Sequence, residues 1–148
     1  MKALVLHGVN LNMFGKRDPG QYGTATLAEI DQKLKALGRE LGVQVETFQT
    51  NFEGEMCERI HRAFEERIDV VVINPGAWTH YSYALRDALE ILQVPVIEVH
   101  MSNIHAREPF RKVSVLTPIP KQQIMGRGVD SYLDGLRAGV AAARASSP

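Results

Sequence analysis

Four short apolar runs rich in β-branched residues, Ala3–Leu6, Val43–Phe48, Val70–Ile73 and Val96–Val99, are separated by segments of helical period. That alternation restricts the chain to a parallel sheet covered on both faces by helices, with right-handed crossovers between the strands. Val113–Leu116 is a weaker fifth run. Five strands make an α/β, flavodoxin-like three-layer sandwich the natural arrangement. Thr26–Leu27–Ala28–Glu29 has capping-box form and opens a helix whose stripe of Leu27, Ile30, Leu34, Leu37 and Leu41 ends at Gly42. A second helix is expected over about Gly54–Arg67, with Met56, Ile60, Ala63 and Phe64 facing inward. Arg59, Arg62 and Arg67 with Glu58, Glu65 and Glu66 read as its solvated face of mixed charge. A third is expected over Ser82–Leu92, and a last one over Val129–Arg144 carrying Tyr132, Leu133, Leu136 and Val140. The tail Ala145–Pro148 is expected to fray. Without repeat, low-complexity segment or linker, residues 1–148 read as one domain.

A chain of 148 residues can bury a sizeable core. Its 17 Lys and Arg balance 17 Asp and Glu, a formal net charge of zero. That argues against a nucleic-acid binder relying on broad electrostatic attraction, and it is compatible with self-association. The lone Cys57 has no intrachain disulfide partner, so a reducing compartment is the simpler expectation, and its helical setting suits packing better than nucleophilic attack. Met1–His7 is too short an apolar run for a signal peptide and reads as a strand. No stretch approaches the length of a membrane span. The expectation is a soluble, cytoplasmic protein with neither membrane nor nucleic-acid partner.

Within the fourth run, Glu98 and His100 are two residues apart and so lie on the same side of a strand. A carboxylate inside so apolar a segment is costly to bury unless something pairs with it. A histidine held by a carboxylate has a fixed tautomer and raised basicity, the makings of a general acid or base. An ordinary ion pair at a strand end is the other reading of the same residues.

Open parallel sheets bind ligands outside the carboxyl ends of their strands. Here those ends read His7–Gly8–Val9–Asn10–Leu11–Asn12, then Gln49–Thr50–Asn51, Asn74–Pro75–Gly76–Ala77–Trp78–Thr79–His80 and His100–Met101–Ser102–Asn103. Amides, hydroxyls and imidazoles supply both donors and acceptors, which suits a small polyhydroxylated substrate better than a nucleotide. Gly15–Gly23 has glycines at both ends, an arginine, a tyrosine and no hydrophobic period, as a lid would. A tyrosine near arginines is favoured as tyrosinate, so Tyr22 could act as a base; a solvated turn with an anchoring ring is the alternative. Gly126–Arg127–Gly128 lacks a third glycine and follows no clear strand, and there is no P-loop. His7, His61, His80, His100 and His105 lack zinc-site spacing with cysteines or carboxylates, so neither metal nor other cofactor is expected. His61, in a helix, reads as structural. No lysine sits inside an expected strand, which leaves no candidate for a buried Schiff base.

In order along the chain stand Asn10–Leu11–Asn12, Arg17-x-Pro19-x-x-Tyr22–Gly23, Gln49–Thr50–Asn51 with Glu53–Gly54–Glu55, and Asn74–Pro75–Gly76–Ala77 with Thr79–His80. Ala84–Leu85–Arg86–Asp87–Ala88, Pro95–Val96–Ile97–Glu98–Val99–His100, Ser102–Asn103–Ile104–His105–Ala106–Arg107–Glu108 and Phe110–Arg111 follow. From about Lys2 to Leu136 the series resembles type II 3-dehydroquinate dehydratase. The resemblance implies a flavodoxin-like hydro-lyase that converts 3-dehydroquinate to 3-dehydroshikimate by anti elimination through an enolate, without metal or Schiff base. Carried over, Tyr22 would take the proton alpha to the ketone and Arg17 would favour its tyrosinate. Asn10 would hold a water against the enolate oxygen, and His100, oriented by Glu98, would protonate the departing hydroxyl. Asn74, Gly76, His80, Met101, Ser102 and Arg111 would bind the substrate. Asp87 would reach a site across a subunit interface in a dodecamer built from trimers. The reaction serves both shikimate formation in aromatic amino acid biosynthesis and quinate catabolism.

The family usually reads Asn-Gly-Pro-Asn-Leu after its first strand, where this chain has His7–Gly8–Val9–Asn10–Leu11. Asp18 replaces a glutamate, Trp78 and Tyr83 are bulkier than expected beside the site, and Arg127 replaces an apolar residue. These departures leave two alternatives: a paralogue acting on a related cyclic polyol acid, or a non-catalytic protein that keeps the pocket.

Overall fold

A computed structural model describes residues 1–146. Five parallel strands, β1 (Lys2–His7), β2 (Gln44–Gln49), β3 (Val70–Asn74), β4 (Val96–His100) and β5 (Gln122–Met125), form one sheet in the order β2-β1-β3-β4-β5. This is the flavodoxin-like order expected from the alternating runs. The helices are the single-turn α1 (Pro19–Tyr22), then α2 (Leu27–Leu41), α3 (Glu53–Glu65), α4 (Tyr83–Ile91) and α5 (Val129–Ser146). Successive strand residues point to opposite faces. Ala3, Val5, Val70, Val72, Ile97 and Val99 therefore pack under α2 and α5, while Leu4, Leu6, Val71, Ile73 and Val96 pack under α3 and α4. Burial on both faces is why the central strands read as unbroken apolar runs.

Local chemistry sets the helix ends. The Thr26 hydroxyl accepts from the Glu29 amide at 3.2 Å to open α2, and Gly42, at φ 71°, closes it. Ser82 caps α4 through the Leu85 amide at 3.1 Å. Helix α5 lies close to the sheet because Gly135 has no side chain: a Cβ there would sit 2.5 Å from Val99 Cγ1 and 3.4 Å from Val72 Cγ1.

Several expectations need correction. Val113–Leu116 is not a strand; it is a strap, tied to the loop after β3 by the Val115 amide donating to the Thr79 carbonyl at 2.7 Å. The fifth strand is Gln122–Met125, an edge strand whose two glutamines hide it from an apolar pattern. Gly126–Arg127–Gly128 accordingly does follow a strand. Phe64 is half-exposed, because Ala63 takes the inward position at that turn. Arg59 is not on a solvated face: it is buried between Glu46 of β2 and Glu66, each 3.3 Å from its guanidinium. Trp78 lies in the core with Leu85 and Leu116 rather than beside the ligand cavity. Ala145 and Ser146 continue α5, with the Ser146 hydroxyl donating to the Ala142 carbonyl at 3.0 Å; Ser147 and Pro148 of the expected frayed tail lie outside the described residues.

Gly135→Ala tests the close seating of α5. Overpacking against two stiff valines costs about 1–3 kcal/mol, against a gain of about 1 kcal/mol in helix propensity. We expect a lower melting temperature for Gly135→Ala. Gly54→Ala, whose added Cβ meets nothing within 4 Å, should melt at or above the parent temperature.

Candidate active site

The order of the sheet reverses between β1 and β3, and the crevice outside those strand ends is where such sheets bind ligands. His7 and Asn74 are paired in register at those ends. Beyond them the Gly8 amide donates to the Asn74 carbonyl at 2.8 Å, and the two chains touch backbone to backbone: a Cβ on Gly8 would lie 2.3 Å from the Pro75 carbonyl oxygen. Asn10 then turns through a left-handed conformation, φ 68°, and its amide donates to Asn51 Oδ1 at 2.8 Å. Gln49 Nε2 donates to the Gly8 carbonyl at 3.2 Å and to Asn51 Oδ1 at 3.1 Å. The amides after β2 thus brace the loop that carries Asn10 rather than line the cavity, and Thr50 donates to Glu55 at 3.1 Å.

The cavity at this point is about 100 Å³. It is lined by Asn10, Arg17 and Tyr22 from the segment between β1 and α2, and by Asn74, Gly76 and His100 from the ends of β3 and β4 and the turn after β3. His80, Met101, Ser102, Arg107 and Arg111 close the remainder, with Phe14 and Ile104 supplying apolar wall. Of the residues singled out from sequence, Glu98 lies beneath the wall rather than in it, and Asp87 stands exposed on α4, outside this chain's own cavity.

Tyr22 rides on α1, a turn that Asp18 caps by accepting from the Gly20 amide at 2.9 Å and that Gly23 ends at φ 72°. Its phenol oxygen accepts from Arg17 Nη2 at 2.9 Å and from Arg107 Nη1 at 2.6 Å, and the Arg17 guanidinium lies 3.8 Å from the ring centre. Arg107 also reaches the Ser102 hydroxyl at 3.4 Å. Sequence reasoning quoted Arg107 within a motif and gave it no role; only the fold brings it to a tyrosine 85 positions earlier.

At the end of β4, His100 Nε2 donates to Glu98 Oε2 at 2.6 Å, leaving Nδ1 uncommitted to any protein partner among the described residues. Glu98 is fully buried and accepts three more hydrogen bonds: from the Thr79 hydroxyl at 2.7 Å, the Ser114 hydroxyl at 2.9 Å and Gln123 Nε2 at 2.9 Å. Burial pushes this carboxyl up, but the bonds from His100, Thr79 and Gln123 and the charge of His100 outweigh it and hold the group below the usual carboxylate range. Ser114 and Gln123 were missed in the sequence because the strap and the edge strand were misplaced. His80 donates from Nδ1 to the Val113 carbonyl at 2.8 Å. Its burial, aided by repulsion from His100 and Arg111, pushes it below the ordinary histidine value in spite of that bond. A neutral His80 offers Nε2 as an acceptor. Arg111 pairs with Glu108 at the rim.

A family model described as dehydroquinase class II matches residues 1–140. A protein of Leptothrix cholodnii named 3-dehydroquinate dehydratase is 67% identical over 140 residues, 95% of this chain and 94% of that one. One of the same name from Syntrophotalea carbinolica is 65% identical over 137 residues, 93% of each chain. The crystal structure of the type II dehydroquinase of Butyrivibrio crossotus superposes with a TM-score of 0.91 at 40% identity, covering 93% of this chain and 96% of that one. The chain belongs to the class II dehydroquinase family.

Proposed function

We propose that this chain dehydrates 3-dehydroquinate to 3-dehydroshikimate by an anti elimination through an enolate, with neither metal nor Schiff base. The observation that carries the proposal is that Tyr22 and His100, each held by charged partners, line one small cavity. Two cationic donors on one phenol oxygen stabilise negative charge there, which is what a phenolate base requires. Tyr22 takes a proton from the carbon alpha to the ketone, and the electron pair becomes an enolate. Asn10 holds a water that donates to the enolate oxygen, an oxyanion-type contribution. The enolate then collapses to form the ring double bond as the hydroxyl leaves, and His100, kept in one orientation by Glu98, gives that hydroxyl its proton. No lysine lines the cavity among the described residues, in keeping with an enolate rather than an iminium route.

The remaining lining groups suit the hydroxyls and carboxylate of such a ring. Asn74, the Gly76 backbone and a neutral His80 offer donors and acceptors to hydroxyls, while Met101 and Ser102, at the end of β4, and Arg111 serve the carboxylate. Asp87 is the exception: it stands exposed on α4, outside this chain's own cavity, and on the family resemblance we assign it to the cavity of a neighbouring subunit in a homo-oligomer, a dodecamer built from trimers. Among the described residues no helix is long and apolar enough to cross a membrane.

The conjugated enone of the product absorbs in the ultraviolet, and its appearance with dehydroquinate tests the proposal directly; no signal from pure protein beside an active control overturns it. Tyr22→Phe and His100→Ala should each lower kcat by about 10²–10⁴-fold while calorimetry still detects ligand binding. Full turnover by either variant removes the role assigned to that residue.

The Glu98 carboxyl also makes stability depend on pH. Its folded-state value is below the ordinary one, so its contribution is present above the unfolded value, about 4.3, and is lost as pH falls through the folded value. Urea midpoints of the parent should decline from about pH 5 downward. Glu98→Gln should start less stable at pH 7 and lose less over the same window.

A further inference from the structure

Beneath the cavity, His7 is fully buried at the end of β1, Tyr132 is fully buried on α5, and the two make a continuous chain of hydrogen bonds with Asn74 and Asp31. Asn74 Nδ2 donates to the Tyr132 oxygen at 3.0 Å, the Tyr132 oxygen lies 2.9 Å from His7 Nδ1, and His7 Nε2 donates to Asp31 Oδ1 at 2.7 Å; in the imidazole tautomer whose one proton sits on Nε2, Nδ1 accepts from the Tyr132 hydroxyl. Every donor points the same way, from the cavity towards the part-exposed carboxylate of Asp31 on α2. Such a chain is self-reinforcing, since each bond polarises the next. Burial pushes the Tyr132 phenol far above its ordinary value, so it keeps the proton it donates.

The other end of the Asn74 amide is held as well: Oδ1 accepts from the Gly76 amide at 3.1 Å. A flipped amide would set its NH₂ against the Gly76 N–H, donor facing donor. It would also turn its oxygen to the Tyr132 hydroxyl and take that proton from His7, which would then have lost its only donor on Nδ1. Both ends reject the flip, so Asn74 meets the cavity with one amide hydrogen and one Oδ1 lone pair in a fixed arrangement. We infer that Tyr132 and His7, neither of which lines the cavity, are positioning residues that hold the Asn74 amide in the single orientation able to bind a ring hydroxyl. This rests on the dehydratase reading for the identity of the ring and on nothing else in it. It also gives His7 a use where the family usually carries asparagine: the imidazole spans from Tyr132 to Asp31, linking β1, α5 and α2 on one face of the sheet.

A double-mutant cycle on the full chain, with Tyr132→Phe, Asn74→Ala and the double variant, decides the matter. Each protein is read by KM and kcat for dehydroquinate, by calorimetric Kd for 3-dehydroshikimate and by melting temperature. Losing a hydrogen bond that orients Asn74 should raise KM and Kd about five- to tenfold in Tyr132→Phe with kcat within about twofold. The double variant should match Asn74→Ala alone within about twofold, because an absent amide needs no positioning. His7→Leu should shift KM in the same direction, and His7→Gln, whose oxygen can accept the Tyr132 proton, should recover most of the loss. Effects that multiply in the double variant would overturn the inference, as would a Tyr132→Phe protein that melts earlier with KM and Kd unchanged. A parent protein that binds the product yet shows no turnover would overturn the dehydratase reading instead, and the binding cycle would still decide this one.

Discussion

The Glu98 carboxylate is a full negative charge set in the middle of a parallel strand with no access to water. It is tolerable there because four donors converge on it, and each comes from a different place: Thr79 from the loop after β3, His100 from its own strand, Ser114 from the strap and Gln123 from the edge strand β5. Removing one partner of a buried, hydrogen-bonded charge typically costs about 3–5 kcal/mol. The requirement to satisfy this one group therefore places the strap, closes the sheet with a polar edge strand and fixes the ring of His100. Fold and site share a single electrostatic condition.

What could be read from the chain follows from how each piece is buried. Strands β1, β3 and β4 are covered on both faces, so their apolar runs are long and their limits plain. The period of two along β4 was enough to place Glu98 and His100 side by side. Strand β5 escapes the same reasoning because an edge strand can spend its positions on Gln122 and Gln123. Val113–Leu116 misleads for the opposite reason: it joins no sheet, but crosses the loop after β3 through hydrogen bonds, with Val113 exposed and only Leu116 sunk fully into the core. Arg59 and Arg107 look alike in sequence, charged residues among other charged residues. One bridges two glutamates in a buried helix face and the other lies on a phenol oxygen. The Arg59 contact to Glu46 of β2 and the Arg107 contact to Tyr22 are made between elements, and no local pattern announces them.

Two polar systems meet at the strand ends, and they are built differently. The Glu98 cluster gathers donors around one charge. The His7–Tyr132–Asn74 chain instead runs as a line of single contacts from the cavity to the part-exposed carboxylate of Asp31. Keeping these systems separate allows each to be satisfied without competing for the other's donors. The backbone contact of Gly8 with Pro75 locks the two loops between them into one rigid floor.

Above that floor, Tyr22 sits on a one-turn helix outside the sheet, joined to it through Gly15 at φ 93° and Gly23 at φ 72°. Any excursion of this segment wide enough to admit a six-membered ring carries the phenol away with it. Under the proposed chemistry, entry and deprotonation would exclude each other in time, since a displaced Tyr22 would face no acidic carbon. On that proposal, a ligand that arrives and departs without being covered by this segment would keep its hydrogens, and idle isotope exchange with solvent would be suppressed.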